Sequence, residues 1–242
     1  MIETEHLRKE FGDVLAVEDL SLRIPAGEFF GFLGPNGSGK TTTIKLLTGL
    51  LRPTKGRALI GGHDIQRDHI AAKRLIGYVP DTPYLYEKLS AREFLGFVGD
   101  LYELPEATMK ARIPELLELF GLTPVADRLI EDYSHGMRQK VVMSACLLHE
   151  PRVIIIDEPM VGLDPQSAHL VKTILRRQCD EGAAVFMSTH TLSLAEDVCD
   201  RVGIILKGRV IALGSVAELK AQFGNEGDLE ELFLDLTGRI VE

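Results

Sequence analysis

Positive charge is the first thing in short supply. Lys and Arg number 27 against 36 Asp and Glu, for a formal net charge of −9. Proteins that grip nucleic acid cluster Lys and Arg on one face to neutralise phosphates, so no nucleic-acid partner is expected. Cysteine is scarce as well. Cys146, Cys179 and Cys199 are odd in number, form no C-x-x-C pair and have no metal-ligand spacing. A disulfide framework and a zinc site are thereby excluded, and a reduced, cytosolic setting is expected. No apolar run approaches the roughly 18 residues that span a bilayer. Met1-Ile2-Glu3-Thr4-Glu5 also lacks a basic, apolar signal segment. Any membrane role must therefore act through another chain. Internal repeats and low-complexity linkers are absent too. What remains is ordinary globular composition, 45% hydrophobic and 26% charged over 242 residues, enough for one large core carrying a lobe.

What the chain does have is Gly34-Pro35-Asn36-Gly37-Ser38-Gly39-Lys40-Thr41-Thr42, which fits the phosphate-cradling pattern G-x-x-x-x-G-K-[ST]. Glu28 to Leu33 before it reads as a buried strand and Thr42 to Leu47 after it as a helix. The motif thus sits in the strand–loop–helix context it requires. Glycines let backbone N–H groups close on phosphate oxygens, and the helix N-terminus adds positive potential. Lys40 is placed to reach the β- and γ-phosphates, and the Thr41 hydroxyl to ligate Mg²⁺.

Val153-Ile154-Ile155-Ile156 runs straight into Asp157-Glu158-Pro159. In a parallel α/β sheet, ligands bind at the carboxyl ends of strands, so both acids face the edge that carries the phosphate loop. Asp157 suits a metal anchor, and Glu158, one residue beyond it, suits a base that polarises water. Adjacent acids at a strand end are otherwise turn caps; beside a phosphate loop the catalytic reading leads. His190 follows the strand residues Met187-Ser188-Thr189, where it can reach a γ-phosphate and hold the water in line.

The remaining pattern alternates. Residues 1–25 read as antiparallel strands, Leu20 to Ile24 with period two, and Gly56 to Ile65 as a hairpin around Gly61-Gly62. Leu75 to Val79 and Ala183 to Met187 are further strands, and Asp164-Pro165 opens a helix as cap plus first-turn proline. Strands alternating with helices predict a parallel sheet covered on both faces. From Asp81 to about Tyr133 the chain turns helical. Ser90-Ala91-Arg92-Glu93 forms a capping box before Phe94, Leu95, Phe97, Val98 and Leu101. A second helix carries Leu116, Leu117, Leu119 and Phe120 up to Gly121, with Pro114 expected in its first turn or at a kink. A last amphipathic helix is expected from Asp228, with Leu229, Leu232, Phe233 and Leu236 on one stripe.

Tyr133-Ser134-His135-Gly136-Met137-Arg138-Gln139-Lys140 resembles the signature, commonly written L-S-G-G-Q, of the ATP-binding subunits of ABC transporters. With the motifs above, the resemblance covers nearly the whole chain. It implies an α/β fold: a P-loop NTPase (RecA-like) core sheet, an N-terminal antiparallel β subdomain and an inserted α-helical subdomain. Residues 1–80 and 150–223 would be the catalytic core with its β subdomain, 81–149 the helical lobe with the signature, and 224–242 a C-terminal tail. It implies ATP and Mg²⁺ as cofactors and a head-to-tail dimer, homo- or heteromeric. Each nucleotide would then lie between one phosphate loop and the other subunit's Ser134, with Gly136 allowing close approach. Phe11 matches the adenine-stacking aromatic, although an early Phe could equally be core; Asp164 matches the loop that crosses the dimer; His190 matches the switch histidine. The segment Leu232 to Gly238 is similar to the ending of two-component exporter ATPases, whose permease is a separate transmembrane chain. The implied protein is cytoplasmic and peripheral on the membrane's cytoplasmic face.

Two departures stand out. Asp81 follows Gly77-Tyr78-Val79-Pro80 where the family usually has Gln; it can still bind Mg²⁺ or its waters but is shorter and donates nothing when ionised. His135 and Met137 replace Gly and Gln within the signature. Tyr84 and Tyr86, with Phe94 and Phe97, are either core or the groove that the family offers to a membrane partner's helix. The competing function is a soluble ABC ATPase of DNA repair or translation, but one phosphate loop, one signature, no heptad run and an acidic balance favour transport. A GTPase switch is disfavoured, because no N-K-x-D base-reading motif is present.

Overall fold

The chain first reverses at Gly12-Asp13, where Gly12 takes the left-handed φ of 57°. β1 (Ile2–Phe11) thereby pairs antiparallel with β2 (Val14–Ile24), and Leu20, Leu22 and Ile24 turn inward while Ser21 and Arg23 face water. The computed structural model describes residues 1–160, 162–223, 229–231 and 233–234. After β3 (Phe29–Leu33) and α1 (Lys40–Leu47) come β4 (Lys55–Ile60) and the short β5 (His63–Asp64). Then follow α2 (His69–Arg74), β6 (Ile76–Val79), α3 (Ala91–Leu101), α4 (Glu106–Leu119) and α5 (His135–Leu147). β7 (Val153–Asp157), α6 (Pro165–Asp180), β8 (Ala184–Thr189), α7 (Leu192–Val198), β9 (Arg201–Leu206), β10 (Arg209–Gly214) and α8 (Val216–Phe223) complete the order.

Among the described residues the strands form two sheets. One is antiparallel, in the order β2-β1-β4-β5; the other runs β10-β9-β3-β8-β7-β6. Within the second, β3, β6, β7, β8 and β9 pair in parallel, as the alternating pattern predicts. Its β10 edge is antiparallel, joined to β9 through Lys207 and Gly208, both in the left-handed region as a tight hairpin requires.

Side-chain period two splits the core of the second sheet in two. Phe29, Ile154, Ile156, Val185 and Met187 face one way, into a cluster with α3, α4, α5 and α6. Phe30, Phe32, Val153, Ile155, Ala184 and Phe186 face the other, against α1 and the antiparallel sheet. The rings of Phe30 and Phe32 lie 5.8 and 5.3 Å from that of Phe186, each pair contributing about 0.5–1.5 kcal/mol beyond area burial. Continuous apolar runs buried on both faces are what a covered parallel sheet demands.

The helical caps follow the sequence. Glu93 N–H donates to Ser90 Oγ (3.2 Å) and Ser90 N–H to Glu93 Oε2 (2.8 Å), closing the capping box of α3. Ser167 N–H donates to Asp164 Oδ1 (2.9 Å), capping α6. Pro114 corrects an expectation: α4 already begins at Glu106, so Pro114 stands in the helix interior rather than its first turn. Its missing N–H leaves one carbonyl without a partner on the ladder, and burial of Ile113, Leu116 and Leu117 keeps the helix intact across it. Phe94 is core, whereas Tyr84 is 80% exposed. Of the expected C-terminal stripe, Leu229 is buried with Leu33, Val202 and Ile204; Leu232 and residues 235–238 lie outside the described residues. Among the described residues no helix is long and apolar enough to cross a membrane.

One polar pin ties the helical lobe to the sheet. Tyr102, capping α3, donates its hydroxyl to Ile76 O (3.2 Å), and His149 Nε2 approaches the same oxygen at 3.0 Å. The two rings stack with centroids 3.7 Å apart. Burial pushes the His149 pKa down to about 4 against an ordinary 6.5, the bond to Ile76 opposing. The folded value lies below the unfolded one, so this group's stability is present at neutral pH and lost as pH falls from about 6.5 towards 4. From this group the protein should be roughly 2 kcal/mol less stable at pH 5 than at pH 7.5. Urea denaturation of His149→Phe, which keeps the ring but cannot titrate, should show that increment gone; an unchanged acid loss would refute the assignment.

Candidate active site

The loop between β3 and α1 can only be built from glycine at its two ends. A Cβ at Gly39, whose φ is 114°, would lie 2.4 Å from Ala16 O; one at Gly34 would lie 2.4 Å from Ile205 O. Ser38 Oγ is buried there with no hydrogen-bond partner. An orphaned hydroxyl beside a helix N-terminus fits an anion that supplies the missing acceptor. Lys40 donates from Nζ to Gly34 O (2.7 Å) and Pro35 O (3.3 Å). Burial lowers the Lys40 pKa, while Glu158 and Asp157 oppose the shift. Thr41 Oγ1 donates to Asp157 Oδ2 (3.0 Å), joining the phosphate loop to the end of β7.

Strand register assembles the rest. Asp157 pairs with Ser188 across the parallel β7–β8 ladder, which places both side chains on one face. The Ser188 hydroxyl donates to Asp157 Oδ1. Burial raises the Asp157 pKa, the Ser188 and Thr41 hydroxyls pull it back, and Asp81 and Glu158 add to the rise. Glu158 sits at a left-handed φ of 50°, a conformation that costs a side chain about 1–3 kcal/mol and persists where surroundings impose it. Those surroundings are visible: Glu158 N–H donates to Ser188 O (3.1 Å) and Thr189 Oγ1 to Glu158 Oε2 (3.2 Å), and His190 Nδ1 stands 2.9 Å from Oε1. Ser188 and Thr189 were not singled out from the sequence, because a partnership across 31 residues is carried by register, not by a motif.

A cleft of about 280 Å³ opens over these groups, lined by Asn36, Gly37, Lys40, Thr41, Thr42, Asp81, Asp157 and Glu158 together with Val14, Leu15 and Ala16. Asp81 is exposed at its mouth and accepts from Thr82 N–H (2.8 Å). Phe11 is 47% exposed at the end of β1, with Lys9 Nζ 4.8 Å from its ring centre, so the core reading fails; it does not line the cleft. Ser134, Gly136 and Asp164 stand off the cleft. Ser134 caps α5 by accepting from Met137 N–H (3.3 Å). A Cβ on Gly136 would come within 3.5 Å of Gly162 O, and one on Gly162 within 2.3 Å of the His135 ring. The signature turn and the loop before Asp164 are therefore neighbours within one chain. Among the described residues no three His, Cys, Asp or Glu side chains gather to hold a metal alone. Thr41 and Asp157 still suit Mg²⁺, which is usually held by one or two carboxylates with substrate phosphates and waters.

Residues 17–161 match the family described as ABC transporter. The chain belongs to the ABC transporter family. It is an ATP-binding subunit of that family, and an ATPase. It is 38% identical over 226 residues to the linearmycin resistance ATP-binding protein LnrL of Bacillus subtilis, covering 93% of this chain and 73% of LnrL. A solved "ATP binding subunit of ABC transporter" superposes with a TM-score of 0.93 at 36% identity, covering 98% of this chain and 99% of that one. The ATP-binding cassette MJ0796, solved as a post-hydrolysis dimer with ADP and Pi, gives a TM-score of 0.81 at 25% identity over 89% of this chain and 98% of its own. The fold of this ATP-binding subunit is thus that of the solved cassettes: an α/β sheet with an antiparallel sheet beside it.

Proposed function

We propose that this ABC ATPase hydrolyses ATP at a site shared by two subunits and uses the closure and reopening of that dimer to drive a separate transmembrane permease, in the direction of export. The observation that carries the reading is the carboxylate of Glu158, fixed by Thr189 and His190 one residue beyond an Asp157 already bonded to Thr41 of the phosphate loop. Gly34 to Thr42 hold the phosphates, with Lys40 leaving its two carbonyl partners for phosphate oxygens. Thr41, Asp157 and Asp81 would hold Mg²⁺, which would neutralise charge on the transferring phosphoryl group. Glu158 takes the proton of the attacking water, and His190 orients it. Phe11, exposed and paired with Val14 of the cleft lining, stacks on adenine, a contact worth about 1–3 kcal/mol that tolerates different bases.

Ser134 and Gly136 serve the other subunit's nucleotide, and Asp164 crosses between subunits; that none of the three lines this chain's own cleft supports that arrangement. The pair is either two copies of this chain or this chain with a similar ATPase. Residues 1–80 and 150–223 act as the catalytic core and 81–149 as the lobe that meets the permease, which places the protein on the cytoplasmic face of a membrane. Bound γ-phosphate favours the closed pair, and a ligand with differential affinity is what shifts such an equilibrium. Purification of the tagged chain from its native membranes in mild detergent should recover one integral membrane chain in fixed ratio. Recovery from the soluble fraction with ribosomes or DNA instead would decide for the non-transport ATPase.

A further inference from the structure

The end of β8 and the residue after it present three consecutive polar side chains, Ser188, Thr189 and His190, to Asp157 at the end of β7 and Glu158 just beyond it. Their bonds do not overlap. Asp157 receives Ser188 on Oδ1 and Thr41 on Oδ2; Glu158 receives Thr189 on Oε2 and His190 on Oε1. Both hydroxyl-bearing residues are buried, Ser188 at 0% and Thr189 at 1% exposure, so in the native fold these carboxylate oxygens are met by side-chain hydroxyls. The proton of Thr189 is also directed. Its oxygen already accepts from Thr191 N–H (3.0 Å), which leaves its own hydrogen for Glu158.

We propose that Ser188 and Thr189 are positioning residues that divide the two carboxylates between them, Ser188 setting the metal-anchoring Asp157 and Thr189 setting the base Glu158. The inference rests on the roles assigned to Asp157 and Glu158 above. Once the Thr41 oxygen turns to a cation, Ser188 is the one hydroxyl left to fix the rotation of the Asp157 carboxylate. Outer partners of this kind typically change metal affinity by about 10–100-fold when removed. Glu158 keeps His190 when Thr189 is lost, so that loss acts on turnover and to a smaller extent.

Full-length Ser188→Ala, Ser188→Thr, Thr189→Val and Thr189→Ser are compared for Mn²⁺ binding with a non-hydrolysable ATP analogue, read by electron paramagnetic resonance, and for kcat at saturating metal and ATP. Ser188→Ala should bind Mn²⁺ about tenfold more weakly, with Ser188→Thr recovering the affinity. Thr189→Val should bind Mn²⁺ as the parent does and lose several-fold in kcat, short of the about 10²–10⁴-fold a general base contributes, with Thr189→Ser recovering it. Parental Mn²⁺ affinity in Ser188→Ala, or the same pattern in Ser188→Ala and Thr189→Val, overturns the division. Asp157→Asn is the reference: if it retains Mn²⁺ affinity, the metal-anchor reading itself falls; if it alone loses affinity, only the role of Ser188 falls. Should Ser188→Ala not fold, Ser188→Cys, a weak donor of similar size, carries the same expectation.

Discussion

Glu158→Gln should leave ATP binding intact and cut hydrolysis by about 10²–10⁴-fold, the contribution of a positioned general base. The substitution is nearly isosteric. It keeps an oxygen for the Thr189 hydroxyl and the left-handed backbone held by the N–H bond to Ser188 O, so the fold has no reason to change. What it removes is the ability to accept a proton. Binding and turnover should therefore separate: nucleotide affinity by fluorescence titration stays, while steady-state phosphate release collapses. A second readout follows from the shared site. If ATP closes the pair and hydrolysis reopens it, Glu158→Gln with MgATP should move from monomer to dimer on size exclusion, and the parent should not. Hydrolysis at the parental rate would remove Glu158 from the base role. A variant that remains monomeric with bound ATP would remove the closed pair while leaving the base in place.

How far the site could be read from the sequence depends on the range of the interaction. The phosphate loop is contiguous, and its strand, its glycines and its helix all lie within 20 residues, so Gly34 to Thr42 was legible together with its context. Asp157 and Glu158 were legible because four apolar β-formers end on them. The hydroxyl partners of these acids were not, since Ser188 and Thr189 acquire their meaning only when β8 settles beside β7 in one register. A different reason hid the β9–β10 hairpin, whose turn residues Lys207-Gly208 carry only a weak local signal. The start of helix α4 was not legible because its first half, Glu106 to Arg112, is largely polar and exposed and gives no apolar stripe, so Pro114 read either as a first-turn proline or as a kink. Phe11 shows the converse limit: type and position gave two readings, and only its exposure removes the core one.

Lys40→Ala and Ser134→Arg should each abolish most hydrolysis for different reasons, and mixing the two dead variants should bring activity back. Lys40 is buried with its ammonium among carbonyls and two carboxylates, and removing one such preorganised charge from a phosphoryl-transfer site costs about 10²–10³ in rate. Ser134 does not line the cleft of its own chain; it caps α5. An arginine there replaces no residue of its own cleft's lining, yet in a twofold pair it would thrust a bulky cation onto the partner's nucleotide, because residue i of one copy meets residue j of the other and the reverse. In a mixed pair, the intact Lys40 comes from the Ser134→Arg chain and the intact Ser134 from the Lys40→Ala chain, and both meet at the same nucleotide. One site is whole and the other doubly damaged. Random pairing makes half the dimers mixed with one good site each, so the mixture should reach about a quarter of the parental rate if sites act independently. Stoppered mixing at equal concentrations, with phosphate release followed against total protein, measures it. Activity no higher than either variant alone, in mixtures shown by cross-linking to contain the mixed pair, would mean that Ser134 acts within its own chain.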